Sequence, residues 1–355
     1  MRKILVAAIL SMFLATGFAS AINIVKQNNT NNIEKTENTT SFLIDIYVDD
    51  DANPGWYDAT HVKTIVEGIT NASEGNTIFV YNGTYGRIEI NKTVSIMGED
   101  KNTTIIDGNR LGNVVSISAA WVNISGLTIQ NSKRGFLISS GIRVTSDYNS
   151  IYDNIITKNG DGIYLSQADY NNISNNIITD NKKLLLGGGI HISDSTGNIV
   201  TNNFISNNRY SGIDIYESKN NTISNNHIKN NKGCGIWVVE SSSNNITKNE
   251  IFRNRRGIAL FDSIENKITQ NNFIFNIISA HFSVTKLKNF NKNTWDGNYW
   301  NRPRLLPYVI HGAWSPDLYP ILWLFLRIFF EKLPAFIVIP LLNFDFNPAK
   351  TPYEI

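Results

Sequence analysis

The chain has 355 residues, enough for one large domain or two ordinary ones, and its 42% hydrophobic and 17% charged residues exclude wholesale disorder. A net charge of +2, from 32 basic and 30 acidic side chains, excludes a nucleic-acid binder that works by bulk electrostatics, and the single cysteine, Cys234, excludes a disulfide framework or a Cys-rich metal site. The 50 asparagines, about 14% of the chain, argue against an all-α protein, because Asn is poor in helix interiors and common in left-handed turns.

Residues 1–21 carry the pattern of a secretory signal peptide: Arg2 and Lys3, then the apolar run Ile4 to Phe18, then Ala19-Ser20-Ala21 as a small-residue cleavage site. An uncleaved membrane anchor is the alternative. Residues 22–41 are mostly Asn, Thr, Lys and Glu with no apolar period, which predicts a flexible linker. Asn-x-Ser/Thr triplets from Asn28 to Asn245 are plausible glycan acceptors in an exported chain. Thr60 to Ser73 reads as an amphipathic helix with Val62, Ile65, Val66 and Ile69 on one face, followed by a strand at Thr77-Ile78-Phe79-Val80 and a turn at Asn82-Gly83-Thr84. Such a helix would cover the open first coil of a stacked structure.

Self-similarity dominates the middle of the chain. Asn154, Asn176, Asn203, Asn226, Asn249 and Asn271 are spaced 22, 27, 23, 23 and 22 residues apart, and a second Asn follows each by five residues. An aliphatic residue stands three positions before each, from Ile151 to Ile268, and another apolar residue two after. Then comes Gly-Ile, at Gly162, Gly189, Gly212, Gly235 and Gly257; the longer step contains an insertion around Lys182 to Leu186. Short period-two stretches broken this often by Asn and Gly are strands, and each must stack on its neighbours to bury its apolar face. Stacking at ~4.8 Å per coil turns the aliphatic columns into a core and the two Asn columns into amide ladders at left-handed corners. The predicted fold is all-β, a right-handed parallel β-helix of about 22-residue coils over residues 42–300, with an N-terminal capping helix. A leucine-rich horseshoe lacks its signature here.

The run Ile46-Tyr47-Val48-Asp49-Asp50-Asp51, the segment from Ala72 to Tyr85, Gly98-Glu99-Asp100 and Thr104-Ile105-Ile106-Asp107-Gly108 resemble the opening coils of archaeal surface proteins with a NosD-type β-helix. The Asn-x-Ile and Gly-Ile-x-Ile repeats, and the closing Asn293-Thr294-Trp295-Asp296-Gly297-Asn298-Tyr299-Trp300, resemble it too. That domain is also described as a carbohydrate-binding and sugar-hydrolase (CASH) domain of the pectin-lyase-like fold. The resemblance implies the fold; it does not settle the activity.

From Asn301 the repeat is gone. Leu318 to Leu342 is strongly apolar but interrupted by Arg327, Glu331 and Lys332 and by Pro320, Pro334 and Pro340, which disfavours a spanning helix. Residues 301–355 therefore form a cap over the last coil, a membrane-associated tail or an interaction patch.

Two outward columns carry candidate chemistry. The x of Gly-Ile-x-Ile gives Arg143, Tyr164, His191, Asp214, Trp237 and Ala259; of these, Tyr164, His191, Asp214 and Trp237 would suit a sugar-binding groove, rings stacking on pyranose faces and polar groups fixing hydroxyls. A solvated sheet face is the plain alternative. Five residues after each Gly stand Gln167, Asp194, Glu217, Glu240 and Asp262, and the four acids are each followed by Ser. Stacked acids must be well solvated, raise a pKa or hold a cation, which makes Ca²⁺ possible there; an acidic turn capping local backbone is the alternative. Asp194, Asp214, Glu217 and Glu240 are the candidate catalytic carboxylates for a hydrolase, lyase or epimerase, though no polygalacturonase-like or lyase-like set is present. Asp49, Asp50 and Asp51 are a second possible Ca²⁺ site. The family name suggests copper, but beyond the signal segment only Met97 and Cys234 supply sulfur, and His61, His191, His227, His281 and His311 fall in different settings. The sequence thus leaves three functions: a secreted or cell-surface carbohydrate-binding or envelope module with a glycan partner, a polysaccharide-active enzyme, and a copper-delivery accessory.

Overall fold

The computed structural model describes residues 45–134, 139–182, 188–290, 292–302, 306–314 and 339–355. The expected signal peptide and linker, the insertion's leucines and most of the apolar C-terminal stretch lie outside them.

The described strands form three sheets of 12, 10 and 11 strands, parallel except for one antiparallel strand at the end of the third, and the repeating coils contribute one strand to each sheet in turn. Right-handed crossover is the rule for parallel strands, and the architecture is a right-handed parallel β-helix, as the repeat predicts. Register is one coil per rung. In the first sheet Ile173, Val200, Ile223, Ile246 and Ile268 pair in succession. In the second, Ile178, Ile205, Ile228, Ile251 and Phe273 do the same. The third stacks Ile163, Ile190, Ile213, Ile236 and Ile258. All of these side chains are fully buried, each contributing roughly 1.5–3 kcal/mol of apolar burial. Toward the end the core turns aromatic: Phe273, Trp300 and Tyr308 stack ring on ring at 4.6 and 4.1 Å.

Three Asn ladders, not two, hold the three corners. The first runs from Asn154 to Asn298 between the first and second sheets, the second from Asn159 to Asn276 between the second and third. The third runs from Asn149 through Asn171, Asn198, Asn221, Asn244 and Asn266 to Asn293 and returns the chain to the first sheet. A rung is a four-point contact. Asn203 donates its backbone N–H and its Nδ2 to Asn226 Oδ1 (3.0 Å each), and Nδ2 also donates to the carbonyls of Ile173 (2.8 Å) and Thr201 (3.0 Å). A serine ladder, Ser195, Ser218, Ser241 and Ser263, supplements the third corner.

The left-handed backbone belongs to a different residue than expected. The ladder asparagines are not left-handed; the residue before each is, as at Asp153, Asn175, Asn202 and Asn225 (φ 53–57°). One residue turns the chain with its side chain outward, and the next drops its amide inward, so the turning position also admits Lys248, Arg253 and Phe275.

The N-terminal helix, α1 (Ile65–Asn71), is shorter than the Thr60–Ser73 expectation. His61–Val62 is a strand paired with Tyr47 and Val48, and Val66 faces solvent at 53% exposure. Thr64 caps α1 through a reciprocal box with Glu67. Ile65, Gly68 and Ile69 face inward, and a Cβ at Gly68 would stand 3.1–3.6 Å from Val48, Ile78 and Ile46, so α1 lies directly over the first coil. At the other end, strand Tyr308–Trp314 extends the third sheet and pairs antiparallel with Ile339–Asp345. Asp345 is fully buried; its Oδ2 accepts from Asn298 N (3.0 Å), Asn298 Nδ2 (3.1 Å) and Trp300 Nε1 (2.9 Å). A carboxylate thereby terminates the first Asn ladder. Among the described residues no helix is long and apolar enough to cross a membrane.

Candidate functional site

The third sheet carries the densest chemistry, because its strands are the longest repeated ones, six residues from Asp161–Ser166 to Arg256–Phe261. The glycine of Gly-Ile-x-Ile is the second residue of each. That glycine is required by close approach: a Cβ at Gly212 would meet Ile228 Cγ2 at 2.5 Å and the Gly235 carbonyl at 2.7 Å.

The register places Arg143, Tyr164, His191, Asp214, Trp237 and Ala259 side by side in one outward column, continued by His281 and His311. Exposure along it is uneven. Tyr164 (8%) and Asp214 (4%) are buried, whereas His191 and Trp237 are half-buried. Arg143 sits 5.8 Å from the Tyr164 ring centroid, and Tyr164 meets His191 edge to face at 5.0 Å. The column is thus continuous: Arg143, His191, Trp237 and His281 are half-buried along it, and His311 at its far end is exposed.

The C-terminal edge of this sheet is acidic. Asp194, Glu217 and Glu240 are exposed and Asp262 half-buried; all four have left-handed backbone (φ 43–52°). Each donates its backbone N–H to the residue preceding its counterpart in the next coil, at 3.1, 3.0 and 2.9 Å for the first three, so they form one column. Partial burial and the charges of Glu217 and Asp262 raise the pKa of Glu240. Burial and a hydrogen bond to Glu217 push the Tyr216 hydroxyl up to about 12. Local capping is also visible: Asp262 accepts from Thr285 N and Oγ1 (2.7 and 2.6 Å), and Asp194 from Ser193 Oγ (2.8 Å). Of the four candidate catalytic acids, Asp194, Glu217 and Glu240 share this column, while Asp214 belongs to the neighbouring one and is buried.

Two further features went unread in the sequence. The N-terminal edge of the third sheet is basic: Lys182, Arg209, Lys232 and Arg255 each directly follow an Asn of the second ladder and are all exposed. A cavity of about 430 Å³ opens there, lined by Lys182, Arg209, Tyr210 and Lys232. At the third corner Trp121, Tyr148 and Tyr170 stack face to face at 4.6 and 5.3 Å, each with φ of 57–62° and 40–48% exposed. The signal for the basic edge was present as Asn-Lys and Asn-Arg at one-coil spacing, hidden by attention to the Asn itself. Aromatic residues at a left-handed corner run against turn preferences and gave no signal.

A three-sheet parallel solenoid with ladders at each corner defines a β-helix of the pectate-lyase type. The family profile described as "Periplasmic copper-binding protein (NosD)" matches residues 19–204, 69–246 and 186–305, and the chain belongs to that family. No curated protein sequence matches it. Among solved structures it is similar to Geobacillus virus E2 ORF18 (15% identity, 71% of this chain and 57% of that one, TM-score 0.50). It is also similar to the Dettilon tailspike protein gp208 (14%, 69% and 62%, 0.50) and to pectate lyase Pel9A (14%, 68% and 75%, 0.50). The chain spans about three fifths of the two viral proteins' length. These likenesses concern the fold.

The family description names copper, and copper takes clustered thiolate, thioether and imidazole donors. Cys234 is buried and its thiol is pushed up to about 12, mainly by burial. His61 bonds Asp58 at 3.1 Å and stacks on Tyr47, and His227 lies 3.8 Å from Glu250 on a different sheet from His191. Among the described residues the one cluster of three metal-capable side chains is Asp49, Asp50 and Asp51, all hard oxygen donors. The carboxyl of Asp51 is raised chiefly by its hydrogen bond and charge contact with Asp49. His281 and His311 are register neighbours in the third-sheet column, but among the described residues no third His or Cys donor joins them, so the donors described do not make the clustered set that copper takes.

Proposed function

We propose that the protein is an exported, non-catalytic carbohydrate-binding module that presents the third sheet and its two edges to a glycan at the cell surface. The observation that carries this reading is the column Tyr164–His191–Asp214–Trp237, in register over four consecutive coils, with a half-buried Trp among them. A large aromatic on an outward position is costly to leave in water, and a pyranose face is a fitting cover. The fold shared with a pectate lyase supplies a long sheet parallel to the axis; the side chains supply the reading. Export rests on residues 1–21, and mass spectrometry of the secreted protein should find Ile22 at its N-terminus.

The test is a glycan array run beside a reducing-sugar assay, with Trp fluorescence as the local reporter. Binding without turnover supports the module. Trp237→Ala should abolish the ligand-induced fluorescence change and weaken binding by roughly 1–3 kcal/mol, the scale of a stacking contact. Unchanged affinity in that variant removes the column from the site. The second reading, a polysaccharide-active enzyme, is favoured by one observation: Glu240, raised in pKa, stands in the same column as Asp194 and Glu217. Turnover that disappears in Glu217→Gln would select it.

A further inference from the structure

Resting on the carbohydrate-binding reading above, we propose that the ligand is an acidic polysaccharide, its anionic groups held by the basic edge of the third sheet. Lys182, Arg209 and Lys232 come from three consecutive coils and converge with Tyr210 on one cavity of about 430 Å³, within the range that holds small ligands. Arg255 continues the column one coil further.

The corner itself does not call for these charges. Gly160 occupies the same position one coil before Lys182, and Ile277, whose N–H bonds the Asn254 carbonyl, occupies it one coil after Arg255. Like charges on successive strands repel, so four in a row weaken the stack rather than support it. Among the described residues only the first of them has a carboxylate in reach. Lys182 lies 3.7 Å from Asp180, both side chains well exposed, and among the described residues no carboxylate is in ion-pair range of Arg209, Lys232 or Arg255. The missing counter-charge is supplied by the ligand.

The spacing and sidedness select the polymer. Cations recur at ~4.8 Å along the axis, one per coil, so a glycan chain lying along the helix meets one cation per rung. A duplex nucleic acid presents phosphates at ~3.4 Å per strand and falls out of step. The acidic edge, Asp194, Glu217, Glu240 and Asp262, bounds the other side of the same sheet and repels a polyanion broad enough to cross it. A single acidic chain that keeps its anionic groups on the basic side of the sheet, with a sugar ring against Tyr210, satisfies both.

The experiment uses the full chain and three probes: polygalacturonate, carboxyl-reduced polygalacturonate with the same backbone and no charge, and a thymidine oligonucleotide. Affinity is measured across a salt series. Tight, salt-sensitive binding of the acidic polymer is expected, and Lys182→Gln/Arg209→Gln/Lys232→Gln should weaken it about tenfold and flatten its salt dependence, the sum of three exposed ion contacts. All three residues are on the surface, and Lys248→Gln/Lys267→Gln, exposed elsewhere, should change nothing. Equal binding of charged and neutral polymers, or an unaffected triple variant, overturns the anionic assignment while leaving the carbohydrate reading intact. Tighter binding of the oligonucleotide overturns the ligand class. If neither polymer binds, the anionic assignment falls, and the glycan array decides the carbohydrate reading.

Discussion

Replacing Asn226 by Ala tests what the ladders contribute. Asn226 is fully buried, and its Oδ1 accepts from both Asn203 N and Asn203 Nδ2 at 3.0 Å. Its Nδ2 donates to the carbonyls of Val200 (2.9 Å) and Ser224 (3.0 Å) and to Asn249 Oδ1 (3.0 Å). Alanine deletes all five contacts. Asn203 Nδ2 keeps the Ile173 and Thr201 carbonyls, and Ser224 O keeps the Asn202 N–H, so the cost concentrates on the Asn203 backbone N–H. The Asn203 backbone N–H loses its acceptor inside the solenoid, which by itself costs about 1–3 kcal/mol. The lost amide bonds add about 1 kcal/mol, for a total near 3 kcal/mol. The assay is urea unfolding followed by circular dichroism, with native-state hydrogen exchange at the Asn203 amide as the local readout; stacked repeats open piecewise, so exchange there should accelerate most. Lys267→Ala, an exposed change in the first sheet, should cost under about 0.5 kcal/mol. Equal losses in the two variants, or unchanged exchange at Asn203, would refute the claim that these amides hold the corner.

Asp345→Ala should cost about 3 kcal/mol or more, because three buried donors lose one acceptor, whereas Asp345→Asn, which retains an oxygen, should cost less; thermal melts order the two. Gly212→Ala should destabilise by about 2 kcal/mol or more, since the added methyl meets backbone at 2.7 Å as well as a core isoleucine, and an unchanged melting temperature would show that coil spacing is adjustable. Glu240→Gln should raise the melting temperature at neutral pH and leave it unchanged near pH 3, below the ordinary glutamate value. The folded state raises this pKa, so stability is lost as pH rises from the ordinary value through the raised one. A melting difference independent of pH would remove the repulsion from the account.

The solenoid was legible because its signal repeats: Ile at fixed offsets from Asn and Gly is reinforced six times over, and no local accident can imitate it. The third ladder was not, although Asn149, Asn171, Asn198, Asn221, Asn244 and Asn266 recur as regularly as the other two. Several stand next to a second Asn, as at Asn172 and Asn220, and in an Asn-rich chain the inward residue of such a pair has no mark of its own. The same ambiguity assigned left-handed backbone to the ladder residue instead of its predecessor. The outward columns were readable as alignments, since register follows from spacing, but not as exposures. Tyr164 and Asp214 alternate outward like Trp237 and are nonetheless buried, because cover is a property of neighbours in space. Helix α1 began late because Val62, read as its first apolar contact, completes a strand against Val48 instead.

The ladders have a direction. In most rungs the side-chain amide of one coil donates toward the C-terminal end and accepts from the N-terminal side, as Asn154 to Asn176 and Asn271 to Asn298 both show. Aligned amide dipoles reinforce one another along a hydrogen-bonded chain, as they do along an α-helix, and the positive ends here all point at the last coil. Asp345 sits at that pole. A side chain that closes a hydrogen-bond pattern therefore also brings negative charge to the positive end of an aligned column. Adding or deleting whole coils in the middle would leave this arrangement unchanged, so the solenoid's length can vary freely between its two ends, whereas an inverted coil could not be accommodated at all.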